Sequence, residues 1–275
     1  MININGVIKL TTKLLALDLD GTLLRDDLTI SSRNKEAIKK VRAKGVEVVI
    51  ATGRPNSAAV KYIKELELDS YLITYNGALI KDIKKDKIIK HSPVELEISY
   101  EILDYVKAND LYLNIYLKDQ IFCNKDCEER QYYKELMGVE PTIVEDNLEK
   151  IFDQESTKLL IIEKNLEETE KIFNHLSEKY SDRLKFKRSI IDCIDIMDKN
   201  VSKGNALKVL VDLLGLNSEQ LTAIGDRNND LEMIEYAGVG VAVSSGEKIL
   251  RDAADYITAS NNEDGVAEYI EKFIL

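Results

Sequence analysis

Asp18 and Asp20 stand two residues apart in Asp18-Leu19-Asp20-Gly21-Thr22-Leu23, at the end of an apolar run that begins at Leu14. A short apolar run bounded by acidic residues suits a buried parallel strand. In an open α/β sheet the carboxyl ends of such strands form the ligand crevice, so both carboxylates would emerge where substrates bind. Carboxylates placed there can attack an electrophile, move a proton or hold a hard cation. A single turn-forming Asp would explain Gly21, but it leaves the second Asp and the following Gly-Thr unexplained.

Three later segments carry polar chemistry at similar places. Thr52-Gly53-Arg54 follows a second apolar run, Val46 to Ala51, and Pro55 can open the next helix. Lys203, in Ser202-Lys203-Gly204, stands at a predicted helix start, where a cation opposes the helix dipole unless an anion shares the site. Gly225-Asp226-Arg227-Asn228-Asn229-Asp230 closes the apolar run that starts at Leu221. Taken singly, Thr52 is a capping residue, Lys203 a solvated surface lysine, and Asp226 and Asp230 a turn residue and a helix-start charge. Their coincidence in one frame, with carboxylates, a hydroxyl, an ammonium and an amide all at strand ends or helix starts, argues for one site.

The elements that must position them alternate strictly at first. A strand from Leu14, a helix capped by Ser31 or Ser32 and stopped by Gly45, a strand over Val46 to Ala51, a helix through Leu66 and a strand over Tyr71 to Thr74 follow in order, and Asn76-Gly77 then signals a turn. The lysine-rich stretch Lys81 to Lys90 reads as water-exposed strands or linker. From Pro93 the strands cluster in pairs between helices near 95–109, 127–137 and 166–180, with 184–196 again strand-like, which favours an antiparallel or mixed sheet with helices on one face. The α/β rhythm resumes at Ser202. The expected fold class is therefore α/β, a doubly wound, Rossmann-like parallel-sheet core in two segments, 1–82 and 194–275, with an inserted α+β cap domain over 83–193.

Composition bounds the partners. The chain has 275 residues, 44% hydrophobic and 32% charged, with a net charge of −11 and a pI near 4.9. Nucleic acid and anionic membrane attract positive surfaces, so neither is an expected partner. Met1 to Lys13 offers no signal-peptide core, and no apolar run approaches the roughly 18 residues of a membrane span, which predicts a cytoplasmic protein, a monomer or weak homo-oligomer. Three cysteines, two of them spaced as Cys123 and Cys127, make a poor disulfide framework and only a weak zinc motif. His91 and His175 are far apart in polar surroundings, against a histidine-based site. No G-x-G-x-x-G follows the first strand, against a dinucleotide-binding fold.

DLDGTL, ATGR, SKG and GDRNND occur in this order, with GVGVAV, ADYIT and EDGVAEYI after them. In this the chain resembles the haloacid dehalogenase-like superfamily, specifically the Cof-type hydrolases with a large inserted cap. It departs in Arg227, where many relatives have Asn, and in the SSGEK loop after GVAV. The resemblance and the residue chemistry together imply a phosphatase for small phosphorylated metabolites. Asp18 would be the nucleophile, forming an aspartyl-phosphate, and Asp20 the general acid and base. Mg²⁺ would be held by Asp18, Asp226 and the main-chain carbonyl of Asp20, with Asp230 supporting metal-bound water or Lys203. Thr52, Gly53, Asn229 and Lys203 would meet the phosphoryl group, and Arg54 and Asn76 the substrate beyond it. Phosphoryl transfer to a sugar, as in phosphomannomutase-like relatives, and a catalytically silent phosphate-binding regulator are the rival expectations.

Overall fold

Leu14, Leu15, Ala16 and Leu17 are all fully buried, as a strand must be when helices cover both faces of its sheet. The structure is a computed structural model and describes residues 3–4, 7–8, 12–144, 151, 154–190 and 192–275. Its eight-stranded sheet runs from edge to edge as Tyr256–Thr258, Val239–Val243, Leu221–Gly225, Leu14–Leu17, Glu47–Ala51, Tyr71–Thr74, Leu79–Asp82 and Lys87–His91. The first six are parallel. Leu79–Asp82 then turns back antiparallel against Tyr71–Thr74.

Alternate residues of the central strand feed two cores. Leu15 and Leu17 pack with the helices Ser32–Ala43, Asn56–Glu65 and Gly265–Phe273 through Ile38, Val41, Tyr62, Ile63 and Ile270. Leu14 and Ala16 pack with Lys203–Leu213, Leu231–Tyr236 and Lys248–Ala253 through Leu207, Leu210, Met233 and Leu250. Helices on both faces of a parallel sheet give the doubly wound arrangement expected above.

Of the two readings of the lysine-rich stretch, water-exposed strands or linker, the strands are present: it runs from within Leu79–Asp82 through Lys87–His91, the last two strands of this sheet, and its charges lie at an exposed edge, where they discourage pairing with another chain.

The chain divides into two compact units, Met1–Gly53 with Ala59–Ile89 and Ser202–Leu275, and Arg54–Ala58 with Lys90–Val201. The division expected at 83 would part Leu79–Asp82 from the adjacent strand Lys87–His91. The one expected after 193 would cut the strand Cys193–Asp198 just behind its first residue and take the rest from the second unit's sheet, where the strand pairs with Lys158–Ile162.

That sheet has six strands in the order Thr142–Ile143, Gln120–Cys123, Tyr112–Leu117, Lys158–Ile162, Cys193–Asp198 and Leu184–Ile190. All its pairings are antiparallel except that of Thr142–Ile143. The stretch read as one strand-like segment over 184–196 is thus a paired hairpin. The helices Leu96–Ala108 and Leu166–Tyr180 cover the face that carries Leu113, Ile115, Leu159, Ile161, Ile194 and Ile196. A third helix, Glu128–Met137, meets the opposite face, where the Tyr116 hydroxyl bonds that of Tyr133 at 2.8 Å. Helices therefore lie on both faces of this sheet, not on one.

Met1 to Lys13 lies largely outside the described residues, apart from the pairing of Asn3–Ile4 with Val7–Ile8. Among the described residues no helix is long and apolar enough to cross a membrane.

Candidate active site

Three adjacent parallel strands end together at the site. Leu14–Leu17 leads into Asp18, Leu221–Gly225 into Asp226 and Glu47–Ala51 into Thr52. Neighbouring strands lie about 4.8 Å apart, so these three residues begin as neighbours on one edge. The Asp18 backbone N–H donates to the Ile224 carbonyl at 3.0 Å, which fixes the Asp18 backbone to the strand that delivers Asp226.

Lys203 opens the helix Lys203–Leu213 behind the capping hydroxyl of Ser202, which accepts from the Asn205 N–H. Its side chain is wholly buried. The ammonium donates to Asp18 Oδ1 and to Asp230 Oδ1, each at 2.5 Å. A lysine at a helix start, unfavourable by itself, is thus accounted for by two carboxylates that share the place.

Both oxygens of Asp230 are engaged. Its Oδ2 accepts from the backbone N–H groups of Asp226 and Arg227, at 3.0 and 3.1 Å, which folds the GDRNND loop back on itself. Carboxylate oxygens of Asp18, Asp226 and Asp230 all lie within 4.8 Å of one another.

The electrostatics follow from three buried acids around one ammonium. The carboxyl of Asp18 is raised well above its ordinary range, chiefly by burial, with Lys203 opposing and Asp230 and Asp226 adding to the rise. Burial likewise pushes Asp226 up to about 7, with Asp230 reinforcing the shift. Burial acts to lower the Lys203 pKa, but Asp18 and Asp230 outweigh it, and the ammonium is held charged. A cluster with surplus buried negative charge is stabilised by protons or by a cation.

Of the remaining predicted residues, Thr52 is wholly buried, and its carbonyl accepts from the Asn76 N–H at 3.0 Å. Gly53 lies against the Asn76 side chain, whose Oδ1 would be 3.0 Å from an added Cβ. Asn229 sits in the 3₁₀ turn Asn228–Asp230 that precedes the helix Leu231–Tyr236, and its Nδ2 donates to Asn76 Oδ1 at 3.0 Å. Asp20 is half-buried, and its backbone pairs with Leu24. Arg54, half-buried, falls in the second compact unit.

Two residues without a predicted role hold the site together. The hydroxyl of Thr22, fully buried, donates to Asp226 Oδ1 at 3.3 Å. Gly21, at φ +79°, gives Asp226 room, since a Cβ there would stand 2.3 Å from Asp226 Oδ2. The Gly-Thr pair after Asp20 was the available signal, a hydroxyl and a permissive backbone set at the same strand end.

The pattern of the haloacid dehalogenase-like hydrolases matches residues 15–270. The chain is 30% identical over 266 residues to the 5-amino-6-(5-phospho-D-ribitylamino)uracil phosphatase YitU of Bacillus subtilis (strain 168), covering 94% of this chain and 97% of that protein. Among solved structures, TM0651 from Thermotoga maritima superposes with a TM-score of 0.89 at 31% identity, covering 96% of this chain and 98% of the other. A haloacid dehalogenase-like hydrolase from Bacteroides thetaiotaomicron gives 0.85 at 31% identity, covering 94% and 98%. With its four motifs gathered on one edge of a doubly wound sheet and this likeness along nearly its whole length, the chain belongs to the haloacid dehalogenase-like hydrolase family, among its phosphatases.

Proposed function

We propose that the chain is a Mg²⁺-dependent phosphatase that hydrolyses small phosphate monoesters through an aspartyl-phosphate on Asp18. The observation that carries this reading is the junction of Asp18, Lys203, Asp226 and Asp230, drawn from three distant segments to adjacent strand ends. A carboxylate oxygen of Asp18 forms a bond to phosphorus as the ester P–O bond breaks. Asp20 gives its proton to the leaving oxygen and then takes one from the water that attacks the phosphoryl group. That attack breaks the bond to Asp18, releases inorganic phosphate and restores the carboxylate. Lys203 orients Asp18 and favours its ionised form, and with Thr52 and Asn229 it faces the nonbridging oxygens, where most of the assistance to phosphoryl transfer arises.

The donor set fits a hard divalent cation, being all carboxylate oxygen in a buried, negatively charged cluster. Asp18 and Asp226 would hold Mg²⁺ with the main-chain carbonyl of Asp20. Asp230, with both oxygens already engaged, serves Lys203 and the GDRNND backbone instead. Mg²⁺ bound there would supply the positive charge that lets a phosphate approach these acids. Choice of the leaving group is assigned to the second unit.

Phosphate release from a panel of sugar, alditol and nucleotide-related monophosphates, including the ester named for the Bacillus subtilis relative, tests the reading. Asp18→Asn is expected to lower turnover by more than about a thousandfold with an unchanged melting temperature. Substantial hydrolysis by that variant would refute the nucleophilic role. Isomerised sugar phosphate in place of free phosphate would mark a transferase, and a blank panel for the wild type would favour a silent binding protein.

A further inference from the structure

The loop after the strand Tyr71–Thr74 holds three successive residues in the left-handed region, Tyr75 at φ 52°, Asn76 at 56° and Gly77 at 105°. Only the last is a glycine. A bulky tyrosine and an asparagine in that region are sterically disfavoured, and such backbones persist where the surroundings over-determine them.

Here the surroundings are the site's other loops. The Asn76 N–H donates to the Thr52 carbonyl at 3.0 Å, and its Oδ1 accepts from Asn229 Nδ2 at 3.0 Å. Its side chain lies against Gly53, and Gly77 stands so close to the residue before Lys203 that a Cβ would meet the Ser202 carbonyl at 2.2 Å. One short turn therefore abuts the loops of Thr52, Lys203 and Asn229 together.

We propose that Asn76 is a positioning residue that acts on the phosphoryl group only through Asn229. This assignment rests on the phosphatase reading and on the place given there to Asn229. A side-chain amide has two N–H groups. With one bonded to Asn76, the Asn229 amide is held in one orientation, and the second N–H remains for a phosphoryl oxygen. Asn229 is otherwise a half-buried residue in a one-turn 3₁₀ helix, with rotamers to choose from. Asn76 itself is 8% exposed, and its carbonyl oxygen is already engaged, so it is poorly placed to touch the remainder of an ester. In this assignment Asn76 sets the aim of its neighbour Asn229.

The test is a double-mutant cycle on Asn76→Gly, which keeps a left-handed backbone without the side chain, and Asn229→Ala. Both phenyl phosphate and glucose 6-phosphate serve as substrates, and binding of inorganic phosphate with Mg²⁺ is followed by calorimetry. Asn76→Gly is expected to lower kcat/KM about tenfold to a hundredfold, alike on both esters, and to weaken phosphate binding. In the Asn229→Ala background it should cost nothing further, which a merely structural residue would not achieve. Gly53→Ala, which pushes the Asn76 side chain, should reproduce the loss should Asn76→Gly fold poorly, and it too should cost nothing further in the Asn229→Ala background.

Losses that add in the double variant, or a loss confined to one ester, would overturn the proposal. A wild type that hydrolyses neither ester would count against the phosphatase reading. The cycle is then read on inorganic phosphate binding, where absence of coupling sinks the role of Asn76 by itself.

Discussion

Burial lifts the Asp226 carboxyl to about 7, with Asp230 adding to the rise, against an ordinary value of 3.8. Between those values the folded chain holds a proton that the unfolded chain has lost, so this group makes stability fall as pH rises through roughly 4 to 7. Asp18 is shifted in the same direction for the same leading reason. A divalent cation binds the ionised carboxylates and not the protonated ones, so it reverses the trend. The cation-free protein should therefore lose melting temperature between pH 5 and pH 8, and Mg²⁺ should raise that temperature more at pH 8 than at pH 5. An equal rise at both values would remove Asp226 from the metal site. The hydroxyl of Thr22 and the absent side chain of Gly21 matter for the same residue, because both keep this carboxylate where a cation can use it.

At the scale of elements, the start of the helix Lys203–Leu213 is pressed against the Asn76-Gly77 turn, and that contact delivers Lys203. Gly77→Ala is expected to cost more than about 2 kcal/mol in denaturant unfolding and to depress hydrolysis, because a methyl group would meet the Ser202 carbonyl. Gly45→Ala is the control, left-handed too at φ +81° but with nothing within 4 Å, and it should cost only about 1 kcal/mol with activity kept. Equal losses would deny the crowding at Gly77. The strands ending at Leu17, Ala51 and Thr74 were legible in the sequence because a parallel strand buried on both faces is a plain apolar run. Lys203 was legible as an anomaly, a cation at a helix start that needed an anion. Lys81 to Lys90 was legible only as exposed strands or linker, because edge strands with one face in water lose the apolar run. All of Cys193–Asp198 but its first residue was set on the wrong side of a boundary for a related reason, since nothing in a strand's own residues says which sheet it joins. Thr22 holding Asp226 and Asn76 holding Asn229 were beyond reach, because each depends on pairing across more than half of the chain.

For the whole molecule, the net charge of −11 bears on encounter rather than on chemistry. A doubly charged ester meets a repelling field on its way to the site, and salt shortens that field from about 30 Å at 0.01 M to about 8 Å at 0.15 M. At fixed Mg²⁺, kcat/KM for such an ester should rise with added NaCl over that range, and a fall would show that a local positive patch steers the substrate in. The two-segment core has a different consequence, one of timing. Leu14–Leu17 lies between Glu47–Ala51, which follows it closely in the chain, and Leu221–Gly225, which is made only after the whole second unit. During synthesis the central strand therefore waits with one side unpaired, and Asp18 waits without Lys203 or Asp226, an interval in which an open strand edge invites misassembly. The same delay means that a nascent chain carries no assembled phosphate site, so hydrolysis begins only when the ribosome has delivered the final segment.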